Sequence, residues 1–243
     1  MKDYKYFIFD LYGTLVDIHT DEFNDRLWNK FKAILSQYEA HYTKDELRLA
    51  YFNKVSEIEN KKAKTNHDIE IDIYDVFKCL FTNKGIKTNE ETIKKIAIEF
   101  RKLSTTHIRK YSNVDRLLLE LKKHNKKIYL LSNAQSLFTI YELQQLDLLK
   151  YFDDIFISSD VGYKKPDVLF LNKLINKHKL AKDKCLFIGN DLNSDILCAN
   201  RANIDSYYIH SKLSSKENKK IHPTYKQDGM NINKLINNLK LSY

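Results

Sequence analysis

An α/β protein is predicted, with a parallel sheet covered by helices on both faces and a bundle of α-helices inserted after the first strand. Three observations lead there. A nearly continuous apolar run from Tyr4 to Phe9 stops at Asp10, as a strand buried on both faces does. From about Thr20 to Ile108 apolar residues recur at helical spacing, and Gly85 is the only glycine in that stretch. After Tyr111 short apolar runs alternate with helical ones, the pattern of a parallel sheet with crossover helices.

In chain order, Tyr4–Phe9 is the first strand. Four helices follow, carrying Phe23 to Leu35, Leu47 to Ile58, Ile73 to Leu80 and Ile93 to Phe100. Polar breaks near Glu39–Thr43, Lys61–Asp68 and Thr82–Glu90 separate them. Thr43 with Glu46, and Thr88 with Glu91, have the spacing of capping boxes. Helix Val114–His124 leads to strand Lys127–Leu131, which ends in Ser132 and Asn133. Helix Leu137–Leu146, strand Asp154–Ser158 and helix Val168–Lys177 come next. Strand Cys185–Ile188 runs into Gly189, Asn190 and Asp191, then helix Ser194–Ala202 and strand Ser206–Ile209. Asn231–Leu239 is a weakly amphipathic final helix. The expected division is a Rossmann-like α/β core of residues 1–18 and 109–243, with residues 19–108 forming a helical insert.

Composition narrows the function classes. The 243 residues are 43% hydrophobic and 12% aromatic, which excludes a disordered polymer. No apolar stretch reaches about 18 residues, so no membrane span or membrane partner is expected. The short apolar run at the N-terminus lacks the character of a signal peptide, and three cysteines without metal-ligand spacing suit reduced thiols. A cytoplasmic protein, monomer or homodimer, is the expectation. The net charge of +9 favours anionic ligands. Only six of the 41 basic residues are arginine, and no nucleic-acid-binding signature is present, so no nucleic-acid partner is expected. Lys, Asn, Ile and Tyr are abundant together, as an AT-rich genome alone would produce.

In an open parallel sheet the ligand site lies beyond the carboxyl ends of the strands. The first strand delivers Asp10 there, with Gly13 and Thr14 behind it. The second delivers Ser132 and Asn133. The third leads through Gly162 to Lys164, Lys165 and Pro166, and the fourth delivers Gly189, Asn190, Asp191 and Asp195. A carboxylate such as Asp10 serves as a nucleophile. Ser132 and Asn133 offer neutral donors and backbone N–H groups to anionic oxygens of a substrate, and a lysine neutralises both partners. Asp191 and Asp195 are suited to hold a divalent cation opposite Asp10, and hard oxygen ligands suit Mg²⁺. The set describes phosphoryl transfer through an acyl phosphate, in which positioning and charge stabilisation do most of the catalysis.

These four clusters resemble the motifs of the haloacid dehalogenase-like (HAD) hydrolase superfamily. Asp10-Leu-Tyr-Gly-Thr-Leu-Val16 is similar to its first motif and Leu131-Ser-Asn-Ala134 to its second. Gly162-Tyr-Lys-Lys-Pro-Asp167 is similar to the third, and the run from Ile188 to Ala199 to the acidic fourth. The resemblance implies that Asp10 is the nucleophile, that Thr14 supports its loop and that Ser132 binds the phosphate. It implies Lys165 as the catalytic lysine, with Lys164 the second choice. Mg²⁺ would sit on Asp10, the carbonyl of Tyr12 and an acid of the fourth motif, and the insert would be a cap that closes over a small anionic, phosphorylated substrate.

Two positions depart from the phosphatase pattern. Tyr12 stands where phosphatases of the superfamily carry the aspartate general acid, and the dehalogenase branch has tyrosine there. Asn190 follows Gly189 where aspartate is usual, which makes Asp191 the expected metal acid, Asn190 a weaker neutral ligand and Asp195 a partner that orients Lys165. A Mg²⁺-dependent phosphatase is the first reading. A metal-independent 2-haloacid dehalogenase is the second, for which Arg26 and Arg48 are the arginines early in the insert. A non-enzymatic metabolite-binding protein is the third. His19, His41, His67 and His107 are expected to be solvated.

Overall fold

The computed structural model describes residues 1–62 and 68–241; His67 lies outside the described residues. The chain begins with β1 (Tyr6–Phe9) and β2 (Val16–Thr20). Four helices follow: α1 (Asp25–Ser36), α2 (Lys44–Lys62), α3 (Ile73–Thr82) and α4 (Glu90–Ser104). Then come β3 (Thr105–Lys110), α5 (Val114–Lys123), β4 (Lys127–Ser132) and α6 (Ser136–Gln145). The chain continues with β5 (Asp154–Ile157), α7 (Ser158–Val161), α8 (Val168–His178) and β6 (Cys185–Gly189). It closes with α9 (Leu197–Arg201), β7 (Asp205–Ile209), β8 (Tyr225–Gln227) and α10 (Ile232–Asn238).

Among the described residues six strands form one sheet in the order β5-β4-β1-β6-β7-β8, and every pairing in it is parallel. The apolar run at the N-terminus therefore has its reason: β1 sits between β4 and β6, and both its faces are covered. Phe7 and Phe9 pack with Leu117, Leu121 and Leu235 of α5 and α10. Ile8 points the other way, to Phe170, Leu174 and Cys198 of α8 and α9. Alternate residues of one strand thus serve two layers of core. Among the described residues no helix is long and apolar enough to cross a membrane.

Helices α1 to α4 bury a separate cluster that includes Trp28, Phe31, Tyr51, Phe77 and Phe100. Phe100 is its hub, with ring centroids 5.0 Å from Phe31 and from Tyr51 and 5.4 Å from Phe77. Phe138 of α6 joins this cluster, so the bundle rests on the sheet's own helix layer. The expected capping box at the start of α2 is reciprocal: Thr43 N donates to Glu46 Oε2 at 2.8 Å and Glu46 N to Thr43 Oγ1 at 3.2 Å. At α4 the cap is Asn89 instead of Thr88, its side chain accepting from Thr92 N at 2.8 Å.

Sequence patterning does not predict β2, β3 or β8. Strands β2 and β3 form an antiparallel ribbon that pairs Val16 with Lys110 and His19 with His107. It carries the chain into and out of the helices, and residues 18 and 109 lie within it. Its sequences are short and polar, because most of the ribbon faces away from either core. The helix expected over Ser194–Ala202 opens with a π turn, Leu192–Ile196, before α9.

Candidate active site

Asp10 leaves the end of β1 with its N–H held by Ile188 O at 3.0 Å. The chain then coils tightly, with Leu15 N and Val16 N both donating to Leu11 O at 2.8 and 2.9 Å. This coil brings Thr14 Oγ1 back to donate to Asp10 Oδ2 at 3.1 Å. Gly13 makes it possible on two counts. Its φ is +86°, and a Cβ there would lie 2.4 Å from the Asn190 amide nitrogen.

Lys165 reaches the same carboxylate. Its ammonium donates to Asp10 Oδ1 and to Leu131 O, each at 2.8 Å, and pairs with Asp195 Oδ1 at 2.8 Å. Three donors thus meet three acceptors, with the Lys165 side chain 1% exposed. Burial alone would lower the lysine pKa, but the attraction of Asp10 and Asp195 outweighs it and holds the ammonium above the usual lysine range. Burial also raises Asp195 above the usual carboxylate range, against the pull of Lys165. Gly189 admits this arrangement, since a Cβ there would lie 2.4 Å from Asp195 Oδ2. It is Lys165, not Lys164, whose ammonium reaches Asp10.

Asn133 has a different place from the expected one. Its Nδ2 donates to Lys165 O and its Oδ1 accepts from Lys165 N, both at 2.8 Å. Both ends of the amide hold the lysine backbone, so this side chain positions Lys165. Ser132 is the opposite case. Its Oγ is the buried side-chain polar atom without a hydrogen-bond partner among the described residues. A buried unpaired hydroxyl is costly unless something else satisfies it.

Asn190 faces Asp10, and Asp191 does not replace it. Asp191 Oδ1 accepts from Asn193 N at 2.7 Å and Ser194 N at 2.9 Å, capping the π turn. One oxygen of the carboxylate expected to be the metal acid is thus taken up by the first turn of the following helix. The groups around the Asn190 amide are complementary to its nitrogen on the Asp10 side. With nitrogen inward it donates to Tyr12 O at 3.1 Å, Thr14 Oγ1 at 3.2 Å and Asp10 Oδ2 at 3.3 Å, while its oxygen accepts from Ser211 Oγ at 3.1 Å. Turned over, its oxygen would face Thr14 Oγ1, whose proton Asp10 already accepts, and its nitrogen would donate to Ser211 Oγ. Oxygens of Asp10, Tyr12 and Asn190 then face one another, an arrangement that suits a small hard cation. No group of three His, Cys, Asp or Glu able to hold a metal occurs among the described residues, so the donor set here is one carboxylate, one carbonyl and one amide.

The Tyr12 hydroxyl points away from this centre. It donates to Glu142 Oε2 and lies 3.1 Å from Thr139 Oγ1. Burial and the Glu142 charge push its pKa well up, and its proton is already engaged by Glu142. Glu142 also accepts from Arg101 Nε at 2.6 Å. This Arg101–Glu142–Tyr12 chain was not legible beforehand, although Glu142 on the buried face of α6, four residues after Phe138, was a signal. Arg26 and Arg48 are elsewhere: Arg48 pairs with Asp25 at 3.5 Å, and the arginine on the cavity beside the site is Arg101. His107 pairs with Asp17 at 3.4 Å and His19 bonds Thr106 at 2.9 Å, both on the ribbon.

A cavity of about 420 Å³ opens between the sheet and the inserted helices. Tyr12, Asn133 and Phe138 line one side, and Glu22, Tyr51 and Phe52 line the other.

Residues 4–203 match the family described as hydrolase, haloacid dehalogenase-like hydrolase. The chain is 35% identical to a phosphoglycolate phosphatase of Vibrio cholerae over 97 residues, 40% of this chain and 42% of that protein. It is 26% identical to the pyrimidine 5′-nucleotidase PynA of Streptococcus pneumoniae over 228 residues, covering 91% of this chain and 90% of that one. The chain spans about half the length of the first curated relatives it matches. Among solved structures, a Bacillus subtilis protein described as the HAD-hydrolase YfnB bound to magnesium superposes with a TM-score of 0.58. It is 18% identical and covers 98% of this chain and 99% of that one, a likeness of fold.

Proposed function

The chain belongs to the haloacid dehalogenase-like hydrolases, and from that premise we propose a Mg²⁺-dependent phosphatase of small phosphorylated metabolites that works through an aspartyl phosphate on Asp10. One observation carries the reading: the Asp10 carboxylate is held by Lys165 at the carboxyl edge of the sheet, while the neighbouring strand ends in the unpaired hydroxyl of Ser132. A phosphoryl oxygen would satisfy that hydroxyl. Phosphatase relatives support the same chemistry.

An Asp10 oxygen attacks phosphorus, forming the acyl phosphate as the bond from phosphorus to the ester oxygen breaks. The departing oxygen takes a proton from water. The resulting hydroxide equivalent then attacks phosphorus, releasing inorganic phosphate and restoring the carboxylate, so the cycle consumes one water. Lys165 neutralises Asp10 as the anionic group approaches, and Asp195 keeps the ammonium in place. Thr14 fixes the carboxylate plane and Asn133 fixes the Lys165 backbone. Asp10, the Tyr12 carbonyl and Asn190 are the residues that would hold Mg²⁺, which when bound supplies positive charge for the phosphoryl oxygens. Helices α1–α4, within residues 19–108, act as a cap over the core of residues 1–18 and 109–243 and exclude water on closing.

The test is a panel of phosphorylated metabolites and 2-haloacids, each assayed with and without Mg²⁺. Phosphate release that needs Mg²⁺ and disappears in Asp10→Asn is expected. Halide release without metal would replace this reading with the dehalogenase one.

A further inference from the structure

The cavity beside Tyr12 and Asn133 has a composition that selects among phosphate esters. We propose that it receives the leaving group, and that this group is a flat heteroaromatic ring bearing N–H donors, which makes the substrate class nucleoside monophosphates and not phosphorylated carboxylic acids. The inference rests on the phosphatase reading and adds its substrate class.

Size is the first ground. About 420 Å³ lies in the range of pockets that enclose drug-sized or nucleoside-sized ligands, far more than a two-carbon acid fills. The walls are the second. Tyr51, Phe52 and Phe138 present aromatic surface to the cavity. Phe52 continues outward as a parallel stack with Phe23, ring centroids 5.4 Å apart and planes 7° apart. Phe23 is 69% exposed, so an aromatic platform reaches solvent from the cavity wall. Offset stacking on such surfaces favours planar rings over aliphatic chains.

Charge is the third ground. Glu22, Glu59 and Glu70 line the cavity, and Arg101 is the cationic residue among its lining. The Arg101 guanidinium is already paired with Glu142. Among the described lining residues, a carboxylate on the leaving group would meet three carboxylates and one arginine whose charge Glu142 already balances. Glu22 is the acceptor best placed for a donor-bearing ring. The side-chain hydrogen bond described for it comes from Tyr51 Oη at a long 3.3 Å, and burial raises its pKa. An amino or imide N–H from a base would supply what that carboxyl lacks.

The experiment compares kcat/KM for nucleoside 5′-monophosphates, phosphoglycolate and p-nitrophenyl phosphate with Mg²⁺, and titrates uridine and adenosine calorimetrically. The expected result is a preference for a nucleotide over phosphoglycolate of at least about tenfold, the order that one pocket supplies, with saturable nucleoside binding. Phe52→Leu should weaken nucleoside binding severalfold. Glu22→Gln should shrink the preference severalfold, mostly by improving phosphoglycolate. Equal or better use of phosphoglycolate, without nucleoside binding, would overturn the inference and leave the phosphatase reading intact. Failure to hydrolyse all three esters would overturn the phosphatase reading, and with it this inference.

Discussion

Arg101 Nε lies 2.6 Å from Glu142 Oε1, and the two side chains are 14% and 6% exposed. Arg101 closes the last helix of the insert and Glu142 belongs to α6 on the sheet, so a nearly dry ion pair joins the two parts of the molecule. The Arg101 guanidinium also lies over the Phe138 ring, 5.1 Å from its centroid. Removing one partner of such a pair leaves a buried charge uncompensated. Arg101→Met should lower unfolding stability by about 3–5 kcal/mol, and the double variant with Glu142→Gln should recover part of the loss. Urea titration of the three proteins measures this. A loss below about 1 kcal/mol, the range of exposed pairs, would show that the pair does not hold the insert.

Tyr12→Phe separates the structural use of the hydroxyl from catalysis. The Glu142 oxygen that it serves would lose a donor in a buried site, at a cost of about 1–3 kcal/mol. Turnover of an alkyl phosphate, whose departing oxygen needs a proton, should change by less than about threefold, far short of the roughly 10²–10⁴-fold that loss of a general acid brings. A hundredfold loss of kcat in a folded variant would return the hydroxyl to the reaction.

At the proposed cation site, Asn190→Asp should tighten Mg²⁺ binding by on the order of tenfold, since ligand charge sets affinity for hard cations. Asp191→Ala should leave that affinity within about twofold while costing about 0.5–2 kcal/mol of stability through the lost cap. Calorimetric Mg²⁺ titration and thermal melts read the two effects separately. A loss of about tenfold or more in Asp191→Ala would restore Asp191 as a ligand.

Asp10→Asn should remove turnover to within about 10⁻³ of wild type or less while preserving the circular dichroism spectrum, since amide and carboxylate share a shape but only the carboxylate is nucleophilic. Substantial residual phosphatase activity would place the nucleophile elsewhere.

The three thiols should divide one to two. Cys185 and Cys198 are buried, and burial pushes each up to about 12, so neither forms thiolate near neutral pH. Cys79 is partly exposed. Ellman's reagent should therefore titrate one thiol quickly in native protein at pH 8 and three after denaturation. Rapid reaction of all three would show that the sheet layer opens readily.

The parallel sheet was legible because β1 is apolar along its whole length, a pattern that burial on both faces imposes and that periodicity can read. Asp10, Ser132, Lys165 and Asn190 were legible as candidates because residues at the carboxyl edge of a parallel sheet follow strand ends in the chain. Residue order could not say which way a side chain turns once there. Asn133 and Asp191 stand beside the site in sequence, yet Asn133 clasps the Lys165 backbone and Asp191 caps a turn, because unpaired backbone groups next to each claimed the polar side chain. The β2–β3 ribbon escaped notice because its few polar residues pair across a gap of 87 positions, as His19 Nδ1 and Thr106 Oγ1 do, and no local window contains both strands. Arg101, Glu142 and Tyr12 come from three distant parts of the chain. Their choice of one another was decided by tertiary packing alone, which brings Arg101 and Tyr12 within hydrogen-bond reach of the Glu142 carboxylate.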